Sequence, residues 1–338
     1  MRNLLKTLAS RIKEGKDTVL VTIIASSGST PRGIGSKMLV AEEGRIYGTI
    51  GGGAVEHKSR EMAQALLQDR NSCEHDFRLT KADVENLGMI CGGAVKVFFK
   101  YVPASDSETL SICEKAEELF AKGDDLWLIY DVADDCRLGL YTKATGYIGI
   151  DAPAWLDEKL TRHPLRQLLD GRDMYVEQIN SSGIVYVFGG GHVAQELVPV
   201  LTHIGFRCVV LDDRENFIRE ELFPDAEKRI LCDFENISES VNITSEDYCC
   251  VMTRGHSFDT VVQAQLLRTP AYYIGVVGSR SKKVAVNMKL VNDYGIDESE
   301  IARITTPIGL MIKAETPAEI AISIAGQMIE IRAERNKS

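Results

Sequence analysis

A glycine turn in the second half of the chain has the residue types and the spacing needed to bind an anion. Gly189, Gly191 and Ala194 match the pattern G-x-G-x-x-G/A. They follow the apolar run Ile184–Phe188, which predicts a strand. In this pattern the first glycine permits a tight turn, the second lets a pyrophosphate approach the backbone, and the third small residue lets a helix pack closely. Free N–H groups at the helix start favour an anion, so we predict that this turn, including His192, binds a phosphate.

An acidic residue follows the glycine turn at the distance that dinucleotide-binding units use. The second apolar run, Cys208–Leu211, ends at Asp212, where an acid accepts hydrogen bonds from a bound ribose. Asp212 favours NAD as the ligand, whereas Arg214 would accommodate the 2′-phosphate of NADP. Strand, glycine turn, helix, strand and acid together predict a Rossmann-type unit. The alternative is that such a domain keeps its glycine turn for packing alone.

The polar loop Ser26–Lys37 in the first half is a second candidate anion site. It is rich in glycine and hydroxyl residues and carries two cations, Arg32 and Lys37, of which Arg32 could make a forked contact with an anion. The loop lacks the G-x-x-x-x-G-K-[ST] spacing of a Walker A motif. The alternative is an ordinary loop with a turn at Pro31.

A second run of three glycines stands between a strand pattern and a helix pattern. Gly51, Gly52 and Gly53 permit close backbone contact with a ligand or with another chain. Their spacing does not fit the dinucleotide pattern. Glu56 and His57 fall in the first turn of the predicted helix and could contact the same ligand. A histidine in this position is also common as a plain surface residue.

Cys91 is the candidate for a thiol that handles a soft metal or sulfur. It lies in a glycine-flanked turn, whereas Cys208, Cys249 and Cys250 lie inside apolar runs and are predicted core residues. A free thiol with a pKa of about 8.5 is only slightly ionised at neutral pH. Turn N–H groups or Arg32 nearby would raise that fraction. The alternative is a small buried residue.

The elements that must position these residues form two predicted domains. The second half alternates six strand patterns with helix patterns, which predicts an α/β, Rossmann-type, doubly wound parallel sheet. The first half is a mixed α+β pattern, with a short helix predicted near Leu165–Leu169. The polar linker 180–183 gives the predicted domains 1–181 and 182–338.

Polar residues, Thr253 among them, are expected where the predicted parallel strands end. Arg254, His256 and Arg280 follow these strands and would suit a phosphorylated ligand, because ligands bind beyond the carboxyl ends of such sheets. The alternative is that the arginines only make the loops soluble. Arg254, His256 and Arg280 form the predicted rim of the sheet, which is the last set of candidate ligand contacts in the sequence.

Composition limits the class of protein. The chain has 338 residues and a net charge of −10, which disfavours nucleic acid as a partner. No apolar run approaches the ~20 residues of a membrane helix, and the amphipathic N-terminus is unlike a signal peptide. The eight cysteines include no C-x-x-C pair, which predicts reduced thiols and a cytoplasmic protein.

Several motifs in the right order resemble the XdhC/CoxI proteins, accessory factors of xanthine dehydrogenase and related molybdenum hydroxylases. The first half contains GSTPRGIGSKMLV, GTIGGGAVE and MICGGAVKVF. The second contains VFGGGHVA, VLDDR, MTRGHSFD, YIGVVGSR and PIGLMIKAETPAEIAISI. The resemblance spans residues from about 20 to 330, essentially the whole chain. It departs after PIGL, where the family usually has Asp and Gly and this chain has Met311 and Lys313.

The resemblance implies a molybdenum-cofactor chaperone rather than a hydroxylase. Such proteins hold molybdopterin, assist its sulfuration by a cysteine desulfurase, and deliver it to the apo-hydroxylase. The chain also lacks the cysteine spacing of the iron–sulfur clusters that a complete enzyme would carry. We hypothesise that the cofactor lies between the two domains, with N–H groups and Arg32 at its phosphate. Cys91 would then be the ligand near molybdenum or the transferred sulfur.

Two other functions remain open at this point. The first is an NAD(P)-dependent oxidoreductase, which only the Rossmann pattern supports. The sequence shows no evident acid–base pair for hydride transfer. A protein-interaction module would use both glycine turns only for packing. A homodimer is plausible for a protein that delivers a cofactor, although the sequence shows no interface.

Overall fold

The computed structural model describes residues 1–28, 30, 32–78, 93–132, 136–169, 171–181, 183–254 and 258–335. The chain divides into two units, Met1–Ser181 and Ser182–Ser338. Within the described residues, no helix is both long enough and apolar enough to cross a membrane.

The first unit contains an antiparallel five-stranded sheet with the order β3-β2-β1-β5-β4. Its strands are β1 Thr18–Ser27, β2 Lys37–Ala41, β3 Gly44–Gly48, β4 Cys73–Arg78 and β5 Ala94–Val102. Helices α1 Arg2–Lys13, α2 Gly53–Asp69 and α3 Ser107–Lys122 belong to the same unit. Alternate residues of β1 belong to separate core clusters, Leu20 and Ile24 to one, Val21 and Ile23 to the other. Because both faces of β1 are buried over its first seven residues, these residues are mostly apolar rather than alternating, with Thr18 and Thr22 as the buried polar exceptions.

A second antiparallel sheet of the first unit has the order β8-β7-β6-β10-β9. Its strands are β6 Leu126–Asp131, β7 Leu138–Thr142, β8 Gly146–Ile148, β9 Leu165–Leu169 and β10 Arg172–Asn180. The short helix predicted at Leu165–Leu169 is wrong, because this segment is β9 and pairs antiparallel with β10. The segment Leu-Arg-Gln-Leu-Leu consists of good helix formers, but helix propensity over five residues is a small effect, and hydrogen bonding to a neighbouring strand overrides it.

The second unit confirms the predicted doubly wound fold. Its parallel strands are β11 Ile184–Phe188, β12 Arg207–Asp212, β13 Lys228–Leu231, β14 Tyr248–Val251, β15 Tyr273–Val276 and β16 Ile304–Thr305. Their order is β13-β12-β11-β14-β15-β16, the 3-2-1-4-5-6 order of a Rossmann sheet. The helices are α4 His192–His203, α5 Asp259–Leu267, α6 Arg280–Tyr294, α7 Glu298–Ile301 and α8 Pro317–Arg335. The strand order reverses between β11 and β14, which is where such sheets bind ligands.

The cysteines predicted to be core residues are buried in this sheet. Cys208, Cys249 and Cys250 have no exposed surface, which confirms that prediction. Burial raises the pKa of all three thiols, that of Cys250 to about 12. These thiols therefore stay protonated at neutral pH and pack as small apolar groups.

Candidate functional site

The three glycines after β11 have different surroundings. Gly189 has a φ of +114°, and a Cβ there would collide with the carbonyl oxygen of Met252. A Cβ on Gly190 would collide with the carbonyl oxygen of Phe217. Gly191 has no atom within 4 Å of a Cβ position. The chain's own packing thus requires the first two glycines, whereas the third leaves open space beside the backbone.

That open space is a cleft of about 270 Å³ at the point where the strand order reverses. Its walls combine the turn and the start of α4 with the segments after β14 and β15 and the first residue of α8. The lining residues are Gly191, His192, Val193, Ala194, Met252, Thr253, Val277 and Pro317. The volume is close to the lower limit for small-molecule sites, so the cleft suits one part of a ligand.

The start of α4 is not capped by a side chain. Its N-cap residue is Gly191, and the first turn contains no acidic residue. By contrast, the Asp106 carboxylate caps α3 by accepting a hydrogen bond of 2.8 Å from the Thr109 N–H. Free N–H groups and the positive end of the helix dipole therefore meet the cleft at α4. This combination fits an anionic group such as a phosphate.

Asp212, the predicted ribose acceptor, is engaged by donors of its own chain. The side chain is buried, and its carboxylate accepts hydrogen bonds from the Gly190 N–H at 2.7 Å and from Arg214 Nε at 2.8 Å. Burial alone would raise the pKa of Asp212, but these donors hold it below its usual value. Arg214 also stacks on Phe217, with 3.6 Å between Cζ and the ring centroid. Ribose binding by Asp212 stays a prediction and would require Arg214 to move.

Thr253 is a polar residue of the cleft wall. From the sequence it was expected only among the polar residues that follow the parallel strands. Its N–H and hydroxyl donate to Asp259 Oδ1 at 3.2 and 2.5 Å. Asp259 is buried, which raises its pKa above the usual range. This pairing fixes Thr253 in the wall of the cleft. Three apolar residues of the cleft wall were not predicted from the sequence: Met252, Val277 and Pro317. Met252 and Val277 lie just after β14 and β15, and that position was the signal that could have located them.

The predicted rim residues Arg254, His256 and Arg280 were expected to contact a ligand beyond the ends of the parallel strands. Arg254 is exposed after β14 and is absent from the cleft wall. Arg280 is the first residue of α6. His256 lies outside the described residues. Contact of these three residues with a ligand stays a prediction.

In the first unit, the Gly51–Gly53 turn already holds an anionic side chain. All three glycines have positive φ values, and α2 begins at Gly53. The Glu56 carboxylate accepts from the Ile50 N–H at 3.0 Å, the Gly52 N–H at 3.1 Å and the Thr49 hydroxyl. Burial would raise the pKa of Glu56, but the Thr49, Gly52 and Ile50 donors lower it below its usual value. A ligand anion at this turn would have to displace Glu56.

His57 matches the description of a surface residue. It is exposed on α2, and its Nε2 lies 3.4 Å from a Glu61 carboxylate oxygen. Its Nδ1 lies 3.0 Å from the Arg60 guanidinium. These neighbours are all on one helix, so His57 is engaged locally.

The loop at Gly28–Lys37 offers one exposed cation rather than two. Arg32 is exposed, as the predicted anion contact requires. Lys37, by contrast, is buried in β2 and pairs with Glu177 of β10. Burial lowers the pKa of Lys37, and the charge of Glu177 opposes that effect. The interpretation of Lys37 as part of an anion cradle is therefore wrong, because its charge is already neutralised inside the unit.

The predicted thiol Cys91 lies outside the described residues. Seven other cysteines are described, and all are free thiols. Among the described residues, no group of three or more histidine, cysteine or acidic side chains could hold a metal ion. The assignment of Cys91 to molybdenum or sulfur stays a prediction.

Two family models match the chain. The model of the XdhC Rossmann domain matches residues 185–328, and the model of the XdhC and CoxI family matches residues 11–78. Together the two matches cover more than half of the chain and fall in both units. The first match contains the whole cleft wall, including Gly191, Thr253 and Pro317.

Curated relatives extend these matches over almost the full length. The chain is 24% identical over 339 residues to a probable subunit of xanthine dehydrogenase of Bacillus subtilis (strain 168), with 98% of each chain covered. It is 20% identical over 332 residues to the molybdenum cofactor insertion chaperone PaoD of Escherichia coli (strain K12), covering 98% of this chain and 88% of PaoD. A third relative, the uncharacterized protein YqeB of Escherichia coli (strain K12), is 24% identical over 314 residues. That match covers 93% of this chain but spans only 43% of YqeB.

A solved structure shares the fold. The crystal structure of a xanthine dehydrogenase from Bacillus halodurans has a TM-score of 0.79 and 23% sequence identity, with 99% of this chain and 96% of that chain covered. At this identity the similarity concerns the architecture.

Proposed function

Because the chain belongs to the XdhC and CoxI family, we propose that it binds molybdenum cofactor, assists its sulfuration and inserts it into a molybdenum hydroxylase of the xanthine dehydrogenase type. The relative PaoD, a molybdenum cofactor insertion chaperone, supports this proposal. The structural observation that carries it is the uncapped start of α4, which opens through Gly191 into a cleft. The partners would be the apo-hydroxylase and a cysteine desulfurase.

The cleft wall matches the chemistry of the cofactor. Molybdenum cofactor consists of molybdopterin, which has a phosphate and a pterin ring system, and of molybdenum held by the two sulfurs of molybdopterin. The N–H groups of His192 and Val193 would hold the phosphate at the start of α4. Met252 and Val277 would pack against the ring, and Thr253 would offer a hydroxyl that Asp259 holds in place. Sulfur handling would require a thiol, and Cys91 is the residue we propose for it.

NAD or NADP is a second candidate ligand, because the order of the parallel strands is that of dinucleotide-binding sheets. The engagement of Asp212 by Gly190 and Arg214 argues against it, since a ribose would meet no free carboxylate. An oxidoreductase would also need an acid–base pair beside the cofactor. Among the described residues of the cleft wall, Thr253 and His192 have the polar side chains, and no acid–base pair is evident between them.

Mass spectrometry of the ligand that copurifies with the protein tests the proposal. We expect protein from a host that makes molybdenum cofactor to release molybdopterin, and protein from a host unable to make it to release none. The matched control is the same protein incubated with NAD and NADP and then desalted, from which we expect little nucleotide. Release of NAD or NADP, without molybdopterin, would contradict the proposal and favour the oxidoreductase.

A further inference from the structure

Helix α6 presents apolar side chains on two opposite faces. On one face Leu290 is buried, with Val286 and Tyr294 packed against the same core cluster. On the other face Val284, Met288 and Val291 are 63%, 60% and 40% exposed. A helix that is apolar on both faces is normally covered on both faces. The exposed stripe follows the i, i+4, i+7 spacing of a helix–helix contact.

The exposed stripe forms one wall of a groove. The groove has a volume of about 560 Å³ and lies between α6 and α7. Its lining includes Val284, Met288, Val291 and Ala302. Asn287 and Asn292 make part of the lining polar, but the larger part is apolar, and a groove of this size next to an exposed helix face can take the side chains of a second helix.

The two ends of the groove carry opposite charges. Lys283 lies in the first turns of α6, and Glu298 lies at the start of α7, beyond the end of α6. Neither side chain forms an ion pair with the residues that the structure describes. A helix that fills the groove should therefore be acidic at the Lys283 end and basic at the Glu298 end.

A second copy of this chain meets that requirement with its own α6 and the start of its α7. An interface with twofold symmetry places the same surface on both sides, so it must be complementary to itself. If the axis passes beside Met288, the two copies of α6 run antiparallel and the stripes meet. Lys283 of each copy then approaches Glu298 of the other, which gives two ion pairs.

We propose that the α6 groove, lined by Lys283, Val284, Met288, Val291 and Glu298, is the interface of a homodimer. Antiparallel pairing of α6 buries the apolar stripe, and reciprocal Lys283–Glu298 pairs fix the orientation. This inference is independent of which ligand the α4 cleft binds.

Light scattering on variants of the full chain tests the interface. We expect the wild type to have twice the 37.4 kDa mass of one chain. Met288→Asp should raise the dimer dissociation constant at least about tenfold, because it places charge at the centre of an apolar contact. Met311→Asp is the matched control, since Met311 is 78% exposed elsewhere in the same unit, and this variant should stay dimeric. A monomeric wild type, a Met288→Asp variant with the dissociation constant of the wild type, or a Met311→Asp variant whose dimer is weakened as much as that of Met288→Asp would overturn the proposal.

A charge swap tests the pairing without touching the apolar stripe. Lys283→Glu and Glu298→Lys should each weaken the dimer roughly three- to thirtyfold, because each removes two exposed ion pairs and adds two repulsive ones. The double variant Lys283→Glu/Glu298→Lys should recover the wild-type dissociation constant, because reciprocal pairs re-form. If the double variant is as weak as the single variants, the antiparallel arrangement is wrong. Glu298 is exposed and Lys283 is half-buried, so thermal melting checks that each variant is folded.

Discussion

Replacing Gly191 by valine is expected to weaken molybdopterin binding roughly 10- to 100-fold. This is the effect of losing one or two hydrogen bonds to a charged group. The backbone accepts the new side chain, because φ is −72° and no atom lies within 4 Å of the Cβ position. The valine methyl groups would instead fill the cleft at the start of α4 and hold a phosphate away from its N–H groups. A calorimetric titration with molybdopterin measures the effect.

Gly33→Val is the matched control for this substitution. Gly33 also has open space around its Cβ position, and it lies in the other candidate anion loop, next to Arg32. We expect this variant to bind molybdopterin about as well as the wild type. If affinity instead falls only in Gly33→Val, the phosphate is held by the loop of the first unit and the role of α4 is wrong. Thermal melting of both variants shows that each is folded.

The largest expected loss of stability comes from Lys37→Met. Lys37 and Glu177 are 5% and 4% exposed, and they pair with each other inside the first unit. The Tyr175 hydroxyl also donates to Glu177 at 3.1 Å. Removal of the ammonium group leaves a buried carboxylate without its cation, which costs about 3–5 kcal/mol of the free energy of unfolding. Chemical denaturation of the purified variant measures this loss.

Lys58→Met is the matched control, because Lys58 also pairs with an acid, Glu61 at 3.2 Å, but both side chains are exposed. Its expected cost is below about 1 kcal/mol. The double variant Lys37→Met/Glu177→Leu should cost clearly less than Lys37→Met, since it removes both buried charges. Equal losses in Lys37→Met and Lys58→Met would show that the buried pair does not hold the two strands together.

Local sequence patterns predicted the part of the site that depends on local geometry. The strand Ile184–Phe188, the glycine turn and the start of α4 follow one another without interruption, so spacing alone located them. The steric need for Gly189 and the open space at Gly191 agree with the roles that the pattern gives to these positions.

Contacts between distant segments could not be predicted in this way. Lys37 looked like a free cation because its partner, Glu177, is 140 residues further along the chain. Pro317 reaches the cleft wall only because α8 packs beside α4. The segment Leu165–Leu169 is a strand because it pairs with β10. Each outcome depends on tertiary packing, which short periodicities do not encode.

Asp212 shows a different limit. Its position after β12 matches the dinucleotide pattern, and the structure places it at the predicted strand end. Whether its carboxylate can bind a ligand depends on which hydrogen-bond donors compete for it. Here the donors are Gly190 and Arg214 of the same chain. A fold-level pattern therefore located the residue without determining its hydrogen-bond partners.

Hydrogen–deuterium exchange of the full chain, with and without bound molybdopterin, tests the central claim most directly. The free N–H groups at the start of α4 should exchange quickly without the cofactor and slowly with it, because the phosphate would accept their hydrogen bonds. We predict that a peptide covering Gly191–Val193 becomes protected on binding. Binding that protects only the Gly28–Lys37 loop or the Gly51–Gly53 turn, and leaves Gly191–Val193 unchanged, would contradict the account.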